Sequence, residues 1–184
     1  MTRIARLRNF LPLGRRALRV VAWEHGGLVC VLLVALAIRV WLIRWAAGYP
    51  TGDIWNFISI AEGLRRFEYP VLEKRLPFYP LLILAARGVF PSASWEGAAV
   101  VVACAMSLVA LVLLYAIGRT LGLRKAPLLA GLLLFQSFRP FLEASLRGYA
   151  DTTFLTLVLG AILATLRART LRGTLLTGLL IGAV

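Results

Sequence analysis

Apolar residues fall in long runs, the first of which is 27–47. Roughly 20 residues match a bilayer span and exceed the apolar stretch of a signal peptide. An uncleaved first helix is therefore expected, although Ala46-Ala47-Gly48 offers the small residues of a cleavage site. Runs at about 97–118, 127–141 and 152–166 predict three more spans, the middle one short and extended by Leu142 and Leu146. A fifth run opens near Thr174 and ends at Val184. At about 1.5 Å per residue it cannot cross about 30 Å of hydrocarbon, so a truncated helix is expected, and with it the N-terminal part of a larger protein.

Between the first two spans the pattern changes. Ile54, Phe57, Ile58, Ala61 and Leu64 recur at helical spacing, with Asn56, Glu62 and Arg66 largely off that stripe. An amphipathic helix is predicted from Ile54 to Phe67. A second, Pro77–Phe90, is entered through Pro77 and Pro80, is short for a span and contains Arg87.

Composition agrees with a membrane chain. Hydrophobic residues make up 60% of the 184 positions, mean hydropathy is +0.84, and the net charge is +13. Soluble domains carry about 45–50% apolar residues, and basic disordered tails carry few. A soluble domain and a nucleic-acid-binding tail are both excluded, and no nucleic-acid partner is expected. Cys30 and Cys104 lie in apolar runs and read as small hydrophobes. With His25 as the sole histidine, a zinc site is not expected.

The charge also selects the topology. If Pro77–Phe90 spanned the bilayer, the Arg119/Arg124/Lys125 and Arg167/Arg169/Arg172 loops would lie outside, against the positive-inside rule. If it lies in the outer interface, those loops join the basic tail 1–26 on the cytoplasmic side, where Glu24 is the lone acid. Asp53, Glu62, Glu68, Glu73, Glu96, Glu143 and Asp151 then share the outer side with Lys74, Arg75, Arg139 and Arg147. The expected fold is an all-α polytopic membrane protein. It has about four complete spans, a truncated fifth, and two interfacial helices in a first outer loop at 48–96.

Chemistry is expected on that outer side. Asp53, after Tyr49-Pro50-Thr51-Gly52, reads either as an N-cap for the helix at Ile54 or as a base at the membrane boundary, and the two are compatible. Asp151, before Thr152-Thr153, reads as an N-cap or as a second acid opening on the same face. Asp53 and Asp151 together are candidate oxygen ligands for a divalent cation. Glu143 is a weaker candidate. Lys74, Arg75, Arg139 and Arg147 suit an anionic lipid phosphate, or pairing with nearby acids and headgroups. Arg39 lies inside the first span, where an arginine marks function, snorkels or pairs within the bundle. Trp41, Trp45, Tyr49, Trp55, Phe57, Tyr69, Phe78 and Tyr79 collect at the outer boundary as interfacial anchors, with some able to stack on a sugar.

The order of these features resembles the N-terminal part of the GT-C polytopic glycosyltransferases. The nearest branch is the bacterial group similar to protein O-mannosyltransferases, lipid A aminoarabinose transferases and rhizobial lipopolysaccharide glycosyltransferases. The resemblance covers about 27–184 and rests on an ordered set: Asp53, Ile58-Ser59-Ile60-Ala61-Glu62-Gly63-Leu64, Arg75-Leu76-Pro77-Phe78-Tyr79-Pro80, Leu114-Tyr115-Ala116-Ile117-Gly118-Arg119, and Arg139-Pro140 through Tyr149-Ala150-Asp151. It implies sugar transfer from a polyprenyl-phosphate donor to a glycan, lipid or protein acceptor, at the outer face of a bacterial-type plasma membrane. The family's first-loop acid maps to Asp53, its Arg-x-Pro-x-Tyr-Pro stretch to Arg75, Pro77, Tyr79 and Pro80, and its acid after the third helix to Asp151. Many members carry Asp-Glu at the first-loop position, whereas Ile54 follows Asp53 here, and the family's later helices and outer domain are absent. The rival expectation is part of a transporter or flippase for an anionic or lipid-linked substrate, which would bind through the same arginines and need no base.

Overall fold

The computed structural model describes residues 11–46, 52–69, 77–168 and the single position 178, with side chains of the first segment described from 25 to 45. Every regular element in these residues is α-helical: α1 (Leu11–Ala46), α2 (Ile54–Arg65), α3 (Phe78–Val89), α4 (Trp95–Thr120), α5 (Lys125–Ser137), α6 (Arg139–Leu146) and α7 (Asp151–Arg167). Two helices are long and apolar enough to cross a bilayer, His25–Trp45 within α1 and Trp95–Thr120. The number rises to 3 if α6 and α7, bent by 114° at their break, count as one span. The expected fifth helix at Thr174, and Lys74 and Arg75, lie outside the described residues.

Helix α1 is longer than the apolar run that announced it. It begins at Leu11, so most of the basic stretch expected as a tail is helical. Beyond His25 its apolar residues divide into two faces. Leu28, Val31 and Ala35 are buried against α4, while Val29, Leu33, Leu36, Val40 and Trp41 are exposed, the face a bilayer would cover.

Small residues let the other helices approach closely. The buried side of α4 carries Ala98, Ala99, Ala103, Ser107, Ala110 and Gly118. Against it α7 sets Thr152, Thr153, Thr156 and Ala161. Packing of this kind holds helices together where apolar burial alone gives no preference over lipid. The Thr156 hydroxyl reaches across and donates to the Met106 carbonyl at 2.8 Å, while closing on its own helix to Thr152 at 2.7 Å. Gly148, just before α7, lies against Ala99 near the start of α4, and Arg119 and Arg167 at their far ends line one cleft, so the two helices run parallel; α1, with Leu28 beside Tyr115 and Arg39 bonded to Ser107, is antiparallel to both.

The expected third span is broken. Helix α5 stops at Ser137, Phe138 is extended (φ −62°, ψ 119°), and Leu142 and Leu146 belong to the separate α6. Pro140 accounts for the break, since it lacks an N–H and its ring would press on the carbonyl four residues back, at Gln136. At 13 residues, α5 spans only about 20 Å.

Helices α2 and α3 form a second layer over the start of α4. The stripe expected on α2 is the buried one: Ile54, Ile58 and Ala61 are inside, joined by Ile60. The helix ends two residues before Phe67, which takes φ 60° and is fully exposed. Arg87 closes the α3–α4 turn. Its guanidinium donates to the Pro91 carbonyl at 2.6 Å and to that of Ala93, and lies 5.2 Å from the Trp95 ring. The next helix is then capped by Ser94, whose hydroxyl accepts from Gly97 N–H at 3.0 Å.

Candidate functional site

One end of the bundle gathers the starts of α2, α3, α4 and α7. Tyr79, near the start of α3, holds them together. Its ring is buried and meets Phe57 of α2 edge-on, with centroids 5.2 Å apart and planes at 89°. Its hydroxyl donates to the Gly148 carbonyl, with the Ala99 carbonyl at 3.4 Å. Burial first, and then the nearby charge of Asp151, raise the phenol above its ordinary range. Tyr79 was expected among interfacial anchors and substrate-binding groups; it is buried and ties α3 to Gly148.

Gly148 supplies the other half of this lock. It stands at φ +70° after α6, and Tyr149 N–H returns to the Ala144 carbonyl at 3.1 Å, the six-to-one bond of a Schellman turn. A Cβ here would lie 2.7 Å from Ile54 Cδ1 and 3.2 Å from the Ala99 carbonyl carbon. Ala150 packs on the same cluster, which includes Ile54, Ile58, Tyr79 and Ala99. Asp53 directly precedes Ile54, and Arg147 and Asp151 flank Gly148 to Ala150. The lock therefore draws Asp53, Arg147 and Asp151 to one end of the molecule.

Asp53 is exposed and precedes α2 in a turn opened by Gly52 at φ +77°. Its carbonyl accepts from Asn56 and Phe57 N–H at 3.1 and 3.3 Å, but its side chain makes no capping hydrogen bond. Asp151 is also exposed. It is the first residue of α7 rather than its cap, which is Ala150. A carboxylate in that first turn is favoured by the helix dipole. Arg139 donates Nε to Glu143 Oε1 at 2.8 Å along the surface of α6.

The chemical range of the end follows from its groups. Two carboxylates and a guanidinium can accept a proton and neutralise a phosphate. Among the described residues no three His, Cys, Asp or Glu side chains form a group able to hold a metal ion. A cation shared by Asp53 and Asp151 would need further oxygens from substrate phosphate, as magnesium commonly takes.

Models of protein families, curated proteins and solved structures give no match to this chain.

One polar cluster was not anticipated in full. Arg39 is completely buried between α1, α4, α5 and α6. Its Nε donates to Ser107 Oγ at 3.0 Å, and its Nη1 to the Ala35 carbonyl at 3.0 Å and to Gln136 Oε1 at 3.5 Å. The guanidinium carbon is 5.6 Å from the Phe141 ring centre. Ser107 and Gln136 could have been found as isolated polar residues inside apolar runs, where a side-chain donor or acceptor needs a partner.

Tyr79→Phe is expected to destabilise the purified protein in detergent by about 1–3 kcal/mol, the usual effect of a buried acceptor losing its donor. Thermal unfolding that matches the unaltered protein would mean that the hydroxyl does not make this tie.

Proposed function

We propose that this chain is part of an enzyme that transfers a sugar from a polyprenyl-phosphate donor to a glycan, lipid or protein acceptor at the outer face of a bacterial-type plasma membrane. The observation that carries this reading is the shared end of Asp53, Arg147 and Asp151 around the Tyr79–Gly148 lock. Asp53 takes the proton of the acceptor hydroxyl as its oxygen attacks the anomeric carbon, with inversion. Arg147 and Arg75 neutralise the departing lipid phosphate, whose charge grows in the transition state. Asp151 orients the donor or a cation bridging to it. The direct test is transfer of a labelled sugar in membranes carrying Asp53→Asn.

In this proposal α1, α4, the α5–α6 pair and α7 cross the bilayer, and α2 and α3 lie in the outer interface. The loop at Arg119–Arg124 is then cytoplasmic. Leu123→Cys suits a topology test better than a change at Gly122, whose φ of +80° disfavours any side chain. A membrane-impermeant maleimide should label it in inverted vesicles and not in intact cells. Labelling in intact cells would reverse the orientation.

A second reading, a carrier for an anionic or lipid-linked substrate, is favoured by one feature. The 114° break between α6 and α7 is the kind of interrupted helix that transporters use at their sites. A carrier needs no base, so Asp53→Asn would leave its activity in place.

A further inference from the structure

The joint between α5 and α6 lacks a backbone tie. Pro140 has no N–H to offer the Gln136 carbonyl. The Phe138 N–H closes back on Phe135, and the Leu142 N–H on Phe138 at the start of α6. Among the described residues no backbone hydrogen bond runs from α5 to α6. The angle between the two helices is therefore set by side chains. Phe135 and Phe141 meet across the corner, with ring centroids 4.6 Å apart. The other group inside it is the Arg39 guanidinium. It bonds to Gln136 on one arm, lies against Phe141 on the other, and is anchored on α4 through Ser107.

A buried ion is a costly way to fill that corner. Each hydrogen-bond partner of Arg39, namely Ser107, the Ala35 carbonyl and Gln136, is neutral, and its Nη2 is buried with no partner at all. Apolar side chains of similar volume often fill such a place with equal or greater stability. What they cannot do is hold α1, α4 and α5 together by directional bonds. The arginine therefore contributes geometry more than stability.

The direction of α6 matters because of what it carries. Arg147 is its C-cap, and the next residue, Gly148, is fixed by the Tyr79 tie. A rod fixed at one end can still pivot. The Cys104 thiol reaches α6 at the Ser145 carbonyl, but as a weak donor. Phe141, about 9 Å back along the axis from Arg147, is where Arg39 supplies the second fixed point. We infer that Arg39 is a positioning residue: through Phe141 and Gln136 it sets the direction of α6, and with it the place of Arg147 relative to Asp53. The inference deepens the transfer proposed above and rests on it for the role of Arg147.

The test combines Arg39→Met with Gln136→Leu, so that neither side chain is left buried without the other. Ser107 keeps its bond to the Cys104 carbonyl at 2.7 Å. Thermal unfolding of this double variant in detergent should occur at the same temperature as in the unaltered protein, or above it. Spin labels at Leu33→Cys, exposed on α1, and Glu143→Cys, on α6, report the direction of α6, with Cys30→Ser and Cys104→Ser in both proteins. They should give one narrow distance with Arg39 present and a broader or displaced distribution in the double variant. Sugar transfer per folded molecule should fall about 10–100-fold, since a misplacement of about 1 Å can cost about 10²-fold. Arg39→Lys, which keeps a cation against Phe141, should recover part of both losses. An unchanged distance distribution would overturn the inference, whatever happens to transfer. So would an unfolding temperature that drops in step with transfer, which would make Arg39 a packing residue only. Displaced labels with full transfer would also overturn it. Displaced labels in a protein that shows no transfer with or without Arg39 would uphold its hold on α6 and defeat the proposed function instead.

Discussion

Asp53→Asn is expected to lower sugar transfer about 10²–10⁴-fold, the usual contribution of a positioned general base. The side chain makes no cap to α2, and the hydrogen bonds that start the helix, from Asn56 and Phe57, go to the Asp53 carbonyl, which Asn also supplies. Membrane insertion should match the unaltered protein. Asp151→Asn provides a comparison. It removes a charge from the same end without removing the proposed base, so donor affinity should fall more than turnover. Full transfer by Asp53→Asn would defeat the proposed mechanism. Undiminished movement of a lipid-linked substrate in the same variant, with no transfer by either protein, would favour a carrier.

Gly148→Ala should be among the most destabilising single changes at that end. Two costs combine: about 1–2 kcal/mol for a side chain in left-handed backbone, and about 1–3 kcal/mol for forcing atoms into a packed site. The second arises because the new methyl group would stand 2.7 Å from Ile54 Cδ1 and 3.2 Å from the backbone of α4 at Ala99. Neither the helix backbone nor the buried Ile54 can move without disturbing the Tyr79 tie. Gly122→Ala separates the two costs, since Gly122 has φ +80° but nothing within 4 Å of a Cβ. Thermal unfolding in detergent should show a small fall for Gly122→Ala and a larger one for Gly148→Ala. Equal falls would mean that the α6–α7 turn is not packed against α2 and α4. Transfer should fall with Gly148→Ala as well, because the turn that carries Arg147 and Asp151 would shift relative to Asp53.

The two ends of the bundle differ in how far they could be read from the chain. At the Arg119 end, runs of apolar residues closed by basic loops already suggested which segments finish together. At the Asp53 end, Asp53 and Asp151 were assigned to one side by counting charges, yet nothing in their spacing showed what would join them. That depends on Gly148 accepting both a left-handed turn and close contact with Ala99, and on Tyr79 reaching it from a segment far away in the chain. Pro140 was visible, but hydropathy alone read the apolar residues before and after it as one span.

The sequence by itself determined that the protein is helical, that two of the four expected spans, at 27–47 and 97–118, are long and apolar enough to cross a bilayer, and which face of α2 is buried. These properties depend on periodicity and length, which are local. Only the tertiary structure decided the break of α5 from α6, the burial of Arg39 among Ser107, Gln136 and Phe141, and the use of Tyr79 as a tie rather than a surface anchor. Each of these depends on which backbone carbonyl or side chain arrives from a distant helix. An apolar run does not encode that partner, because a polar group in a span is stable wherever an acceptor happens to meet it.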